Sequence, residues 1–241
     1  PKALGFIQQP DSSRRLGFYQ CPAGGHKIFA LNKADGKIAW QWGPDAYSSY
    51  QDTYGTPTLV KAKDKTELVL AVPGEIWSFD TKKGDIAWYA YTNVGAGRGN
   101  VSPSTITGGD TLYVFGGRPG SGLAVKLGGK GEVKESGKLW TSQNSPYVAT
   151  PVYHEGYLYW MDRSGYAVCL NASTGREAYR ERLKSSSRTP QFYASPVVVD
   201  GKIISVSRNA GAFVLEAKPK FKQLAQNTFA SDRSVFNASP A

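Results

Sequence analysis

Short stretches of apolar residues, rich in β-branched and aromatic side chains and broken by polar turns, follow one another along most of the chain. Glu67-Leu68-Val69-Leu70-Ala71-Val72, Thr111-Leu112-Tyr113-Val114-Phe115, Tyr157-Leu158-Tyr159-Trp160-Met161 and Lys202-Ile203-Ile204-Ser205-Val206 carry period-two character, which predicts strands and not helices. After a tight loop each is followed by a second such run: Glu75-Ile76-Trp77-Ser78-Phe79, Gly122-Leu123-Ala124-Val125, Tyr166-Ala167-Val168-Cys169-Leu170 and Ala212-Phe213-Val214-Leu215. A polar turn then leads into a strand bearing a large ring. The clearest copies are Leu31-Asn32-Lys33-Ala34-Asp35-Gly36-Lys37-Ile38-Ala39-Trp40 and Phe79-Asp80-Thr81-Lys82-Lys83-Gly84-Asp85-Ile86-Ala87-Trp88, and Leu170–Tyr179 ends on tyrosine instead. Asn or Asp closes such a turn onto its own backbone, and glycine supplies the positive φ. The ring is expected to fill the gap to the neighbouring unit, so Trp40, Trp88 and Trp140 read as core.

A small-residue and proline anchor precedes each unit: Gly55-Thr56-Pro57-Thr58, Val101-Ser102-Pro103-Ser104, Ala149-Thr150-Pro151-Val152, Ala194-Ser195-Pro196-Val197 and Ala238-Ser239-Pro240-Ala241. The prolines are 46, 48, 45 and 44 residues apart. One four-stranded propeller blade takes about 40–50 residues, so the pattern predicts an all-β chain of four-stranded antiparallel blades. Residues 53–92, 99–141, 147–183 and 191–226 read as complete blades, 15–42 as the last three strands of an earlier one, and 235–241 as the start of another. About five blades are represented in a single propeller domain or a fragment of one.

The hydrophobic–Asn/Asp–x–x–(Thr)–Gly–Lys–x–x–Trp segment resembles the hallmark of the PQQ-like (quinoprotein-like) β-propeller repeat, from about residue 15 onward. Two copies depart from it. The third carries an insertion, residues 128–136, before Gly137-Lys138-Leu139-Trp140, and the fifth, Glu216–Phe221, lacks both Gly and Trp. Rings in that family usually have seven or eight blades, which implies that the chain is part of a larger ring. Closure of a five-bladed ring by the last strand is the alternative. Quinoprotein dehydrogenases of this fold hold their quinone over the central channel with an adjacent cysteine pair, acidic and amide Ca²⁺ ligands and a catalytic Asp. Cys21 and Cys169 are far apart, and no acidic cluster falls on the channel loops. The resemblance therefore transfers the fold and not the enzymology, and no catalytic, cofactor-binding or metal-ligating residue is expected.

Other chemistry finds little material. His26 and His154 are the two histidines, too few for a histidine metal site or a Ser–His–Asp triad. Gly95–Gly99 and Gly116–Gly122 look like phosphate loops but precede no helix, and read as blade-edge turns. The Asn-x-Ser sites at Asn100, Asn171 and Asn237 fall inside the repeat itself. The only methionine is Met161, so the chain reads as a processed or trimmed product without a signal peptide, and no apolar run approaches membrane-spanning length.

Net charge of +10 favours anionic partners, including nucleic acid, acidic glycans or a phospholipid surface, without choosing among them, and nucleic acid is the less expected partner. Loops leaving each fourth strand, and loops joining second to third strands, emerge on one propeller face. They carry Arg98, Arg118, Arg163, Arg188, Arg208 and Arg233, six of the eleven arginines, among Tyr47, Tyr50, Tyr54, Tyr147 and Tyr193. The arginine fork suits carboxylate or phosphate, and tyrosine adds stacking area, so this rim is the candidate binding surface. Lys33, Lys37, Lys82, Lys83 and Lys138 on the opposite face read as solvated hairpin charges. The expected function is a non-catalytic scaffold binding a protein or anionic ligand through one face, similar in kind to the propeller scaffolds of bacterial outer-membrane assembly. That resemblance implies a periplasmic or extracellular setting. A channel-based quinone or sugar enzyme or small-anion binder, and a sensor domain of a larger signalling protein, are the alternatives.

Overall fold

The computed structural model describes residues 15–21, 27–43 and 53–240, apart from 98, 118–119, 187, 229–231 and 233. Twenty strands and one 3-10 turn, Glu135–Gly137, make up its regular structure, and no α-helix occurs among the described residues. The strands form five sheets in chain order, antiparallel but for one added parallel strand. The first contains β1 (Leu16–Cys21), β2 (Lys27–Asn32) and β3 (Ile38–Trp42). The second contains β4 (Thr58–Ala62), β5 (Lys65–Val72), β6 (Glu75–Asp80) and β7 (Ile86–Tyr91). The third contains β8 (Ile106–Gly108), β9 (Thr111–Phe115), β10 (Gly122–Lys126) and β12 (Lys138–Ser142); β11 (Gly131–Glu132) lies between the last two in sequence. β13 (Val152–His154), β14 (Tyr157–Met161), β15 (Tyr166–Asn171) and β16 (Glu177–Arg182) make the fourth. The fifth is β17 (Val197–Val199), β18 (Lys202–Val206), β19 (Ala212–Glu216) and β20 (Gln223–Asn227). These are the blades of a β-propeller, as the alternating runs predict.

The first and second strands of a blade meet at tight turns that need left-handed backbone. Glu155 and Gly156 have φ of 46° and 81°, and Asp200 and Gly201 have 48° and 67°, the signature of a two-residue hairpin matched to strand twist. Between third and fourth strands every sheet slips register by one bulge, at Ala30/Leu31, Ser78/Phe79, Ala124/Val125, Cys169/Leu170 and Val214/Leu215. The bulge increases local twist at the same place in each blade.

Side chains from both faces of each sheet build four apolar layers between successive blades. Phe18, Ala30 and Trp40 meet Leu68, Leu70 and Phe79, and Trp88 and Ile76 meet Leu112, Val114 and Val125. Phe115 and Trp140 meet Leu158, Trp160 and Leu170, and Tyr159, Cys169 and Tyr179 meet Ile203, Phe213 and Leu215. The ring of each fourth strand thus belongs to the layer shared with the next blade. Trp40 and Trp140 also dock on that blade's polar turn. Trp40 Nε1 donates to the Thr81 carbonyl (3.0 Å) and Trp140 Nε1 to the Ala172 carbonyl (2.8 Å). The glycines beneath, Gly84 and Gly175, leave no room for a Cβ, which would lie 2.7 and 2.6 Å from the indole.

Trp88 has a different partner, because the third blade carries the insertion where a docking turn would be. Trp88 Nε1 and Ser78 Oγ both donate to Glu67 Oε2, at 2.7 and 2.8 Å, and all three residues are buried. The insertion returns as β11, which pairs in parallel with β7 through Gly131↔Trp88 and Glu132↔Tyr89, while Val133 packs against the Trp88 layer. It gives the second sheet a fifth strand and covers its outer edge. In the fifth blade, which lacks Gly and Trp, Phe221 meets the Tyr179 ring edge-on at 5.6 Å.

Near the hub the blades are linked by hydroxyls. The backbone N–H of Thr56 donates to Ser104 Oγ (2.9 Å), Ser104 N–H to Thr150 Oγ1 (3.0 Å), Thr150 N–H to Ser195 Oγ (2.9 Å) and Ser195 N–H to Ser239 Oγ (2.9 Å). This series corrects the second anchor, that of the third blade. The residue equivalent to Thr56 and Thr150 is Ser104, not Ser102, so Pro103 stands outside the repeat and Thr105 occupies the proline position. The structural intervals are therefore 48, 46, 45 and 44 residues. One expected solvated charge is also corrected: the Lys138 side chain is 16% exposed and pairs with Glu135, beside the insertion.

Candidate functional site

Antiparallel pairing brings the loops after fourth strands and those between second and third strands to one face. Tyr147 lies on the loop from β12 to β13, Arg163 between β14 and β15, Arg188 and Tyr193 on the loop from β16 to β17, and Arg208 between β18 and β19. Arg98, Arg118 and Arg233, with Tyr47 and Tyr50, lie outside the described residues.

Four of the described residues form a stack across two blades. The Arg163 guanidinium lies 5.0 Å from the Tyr147 ring centre, the Tyr147 and Tyr193 rings meet edge-on at 6.0 Å, and the Arg208 guanidinium lies 4.2 Å from the Tyr193 ring. Each cation–ring contact is worth about 0.5–1 kcal/mol at an exposed site. Tyr147 reaches its place through a left-handed backbone, φ 77°, a conformation that costs a bulky residue roughly 1–3 kcal/mol. Its N–H donates to Ser145 Oγ at 3.3 Å, and Ser145 Oγ–H in turn donates to the Gly116 carbonyl. The neighbouring blade's loop therefore helps hold the strained residue.

Arg208 is fixed at three points besides its ring contact. Its Nε donates to Asn237 Oδ1 (2.7 Å), its backbone N–H to the Gln191 carbonyl (2.8 Å), and its own carbonyl accepts from Phe236 N–H (3.3 Å). Arg163 and Arg188 are exposed. Among the described residues, none of the three arginines has a carboxylate within ion-pair distance. Arg180 shows the contrast: it bonds Asp162 Oδ2 (3.1 Å), Glu177 Oε2 (3.0 Å) and Asn144 Oδ1 (2.7 Å), and is a structural tie.

Beside Arg208 opens a cavity of about 560 Å³, which Arg188, Asp232, Val235 and Phe236 also line. The Ser234 hydroxyl and N–H hold the Asp232 carboxyl below its ordinary range, the N–H bond measuring 2.7 Å. On the opposite face, between the first and second sheets, a cavity of about 850 Å³ is lined by Arg15, Lys61, Lys65, Lys82, Asp64 and Asp80. There burial pushes Asp80 up, but the N–H groups of Lys83 and Lys82, with nearby lysine charge, outweigh it and leave the carboxyl below its usual value.

No cluster of three or more His, Cys, Asp or Glu side chains suited to a metal occurs among the described residues. Cys169 lies wholly buried between the fourth and fifth sheets, where burial pushes its thiol up to about 12. Cys21 ends β1 in the first sheet. No helix among the described residues is long and apolar enough to cross a membrane. Sequence reasoning passed over Ser145 and Phe236 and read Asn237 only as part of the repeat. Asn237 and Ser145 look like ordinary loop residues, and only the folded loops place them against Arg208 and Tyr147.

Comparison with solved structures places this architecture among known propellers. The crystal structure of BamB from Moraxella catarrhalis matches with a TM-score of 0.61 at 16% identity, over 93% of this chain and 62% of that one. Quinohemoprotein alcohol dehydrogenase from Comamonas testosteroni matches with a TM-score of 0.65 at 11% identity, over 89% of this chain and 42% of that one. The C-terminal WD40 domain of Sif2 matches at 0.67 and 8% identity, over 98% and 63%. At these identities the likeness is one of fold, and the chain spans less than two thirds of each structure. No curated protein sequence matches it. The family model described as outer membrane protein assembly factor BamB matches residues 18–135 and 130–219, so by sequence as well as by fold the chain belongs to that family.

Proposed function

We propose that the chain is a non-catalytic propeller scaffold which docks a protein partner through the Arg163–Tyr147–Tyr193–Arg208 face, outside the cytoplasm. The stack across two blades is the observation that carries this reading. It presents two guanidinium groups, neither with a carboxylate within ion-pair distance among the described residues, on rigid aromatic supports, and the fold accepts a strained Tyr147 to build it. Arg and Tyr anchors of this kind dominate interface energetics, because little side-chain entropy remains to be lost on docking. The family description supports an extracytoplasmic assembly role. The greater length of the BamB structure supports a larger ring of seven or eight blades, of which residues 53–92, 99–141, 147–183 and 191–226 would be four. Arg98, Arg118 and Arg233 would extend the same face.

The test uses the tagged chain as bait for envelope extract, comparing wild type with Arg163→Ala/Arg208→Ala. Partner capture should fall by more than tenfold in the double variant, and fall with salt in the wild type, with circular dichroism showing the double variant still folded. Equal capture by both proteins would contradict the reading.

A further inference from the structure

We propose that the cavity walled by Arg188 and Arg208 binds a small organic anion. Two guanidinium groups would hold its single carboxylate or phosphate, and its apolar body would lie against Val235 and Phe236. This goes beyond the docking reading, since a free small molecule would enter the cavity whether or not a protein covers the stack.

The first argument is size and chemistry. At about 560 Å³ the cavity is in the range of small-molecule sites, and its lining combines a few convergent polar groups with an apolar wall. The second is preorganisation. Arg208 rests on the Tyr193 ring at 4.2 Å and donates its Nε to Asn237 Oδ1 at 2.7 Å, so its terminal nitrogens are presented as a fixed fork. A fork held on two sides loses little freedom when it pairs with an oxyanion. The third is charge. Asp232 lines the same space, yet it is turned to the N–H of Ser234 at 2.7 Å and makes no ion pair with either arginine. The two guanidinium groups are left with one carboxylate between them, and the wall remains cationic. Asn209, which also lines the cavity, is committed elsewhere: its Oδ1 accepts from Gln191 N–H (3.1 Å) and its Nδ2 donates to the Thr189 carbonyl (3.2 Å). Recognition of charge therefore falls to the arginines, with the Ser186 and Thr228 hydroxyls also lining the space.

The test is an NMR titration of the whole ¹⁵N-labelled chain with benzoate, phenyl phosphate and benzyl alcohol, following Arg208 Nε–Hε and the amides of Ala210 and Gly211. Benzoate or phenyl phosphate should give saturable shifts at these positions and benzyl alcohol none; the stronger of the two distinguishes carboxylate from phosphate. Arg208→Ala and Arg188→Ala should each weaken binding at least about tenfold, as expected for loss of a charge-assisted contact. Arg176→Ala, on an opposite-face hairpin, should leave it unchanged. Arg188 is exposed and has no carboxylate within ion-pair distance among the described residues, so its variant keeps the test informative should Arg208→Ala fold poorly. Absence of saturable shifts with both anions, equal binding of benzyl alcohol, or unchanged affinity in Arg188→Ala would overturn the proposal. Loss of partner capture alone, with anion binding intact, would count against the docking reading and not against this one.

Discussion

Replacing Gly175 with alanine should destabilise the protein far more than the same change at Gly36, although the two turns share their backbone. Gly36 and Gly175 have φ of 70° and 69°, and each donates its N–H to an asparagine carbonyl at 2.8 Å. Alanine at either site carries the left-handed penalty of about 1–2 kcal/mol. Above Gly36 a Cβ would meet no described atom within 4 Å, whereas above Gly175 it would lie 2.6 Å from Trp140 Cδ2 and 2.7 Å from Cε3. Carbon contacts are comfortable at about 3.5–4.0 Å, so the indole would have to retreat by about 1 Å. Trp140 is 8% exposed and hydrogen-bonded to Ala172, so retreat strains its layer and stretches that bond. Overpacking costs about 1–3 kcal/mol and the hydrogen bond about 1 kcal/mol. Gly175→Ala should therefore lie about 2–4 kcal/mol beyond Gly36→Ala. Urea denaturation followed by tryptophan fluorescence and circular dichroism would measure both. Losses equal within about 0.5 kcal/mol, the usual scatter of independent sites, would refute ring docking as the tie between blades.

Glu67→Ala should cost about 3–5 kcal/mol, because Trp88 Nε1 and Ser78 Oγ lose a shared buried acceptor, while Glu67→Gln should cost less than half as much. Denaturation curves giving the two variants the same stability would contradict this. Stability should also fall as pH rises from 9 toward 12. The thiol of Cys169 is raised from 9.0 to about 12 in the folded chain, so above pH 9 only the unfolded state releases its proton. The slope is about 1.4 kcal/mol per pH unit for one group, and Cys169→Ala should flatten it between pH 9 and 10, below the range where Tyr159 and Tyr179, themselves raised by burial, contribute. Parallel curves for the two proteins would show that the thiol is not buried in this way.

The strands were legible as short β-branched and aromatic runs bounded by turns, although the middle strands are buried on both faces and carry little burial alternation, and the docking turns because positive φ demands glycine. The second anchor was misplaced because proline is the more visible mark, whereas the repeating contact is a hydroxyl accepting from the preceding blade; Ser104 carries it without a proline. The insertion was visible as residues 128–136, but its pairing with β7 was not, since the edge it covers belongs to another blade and parallel pairing leaves no turn signal. That Arg163, Arg188 and Arg208 sit on equivalent loops followed from the repeat alone. Which rings the guanidinium groups would stack on did not, because that depends on the left-handed Tyr147 and on Asn237 meeting Arg208.

The central claim is that the stacked face is where a partner docks, and site-specific photocrosslinking tests it most directly. A photoreactive phenylalanine analogue placed at Tyr193, or at the opposite-face Lys83, would be irradiated with envelope extract. The account predicts a discrete adduct from position 193, lost on Arg163→Ala, and none from position 83. Adducts of equal yield from both positions, or from position 83 alone, would contradict it.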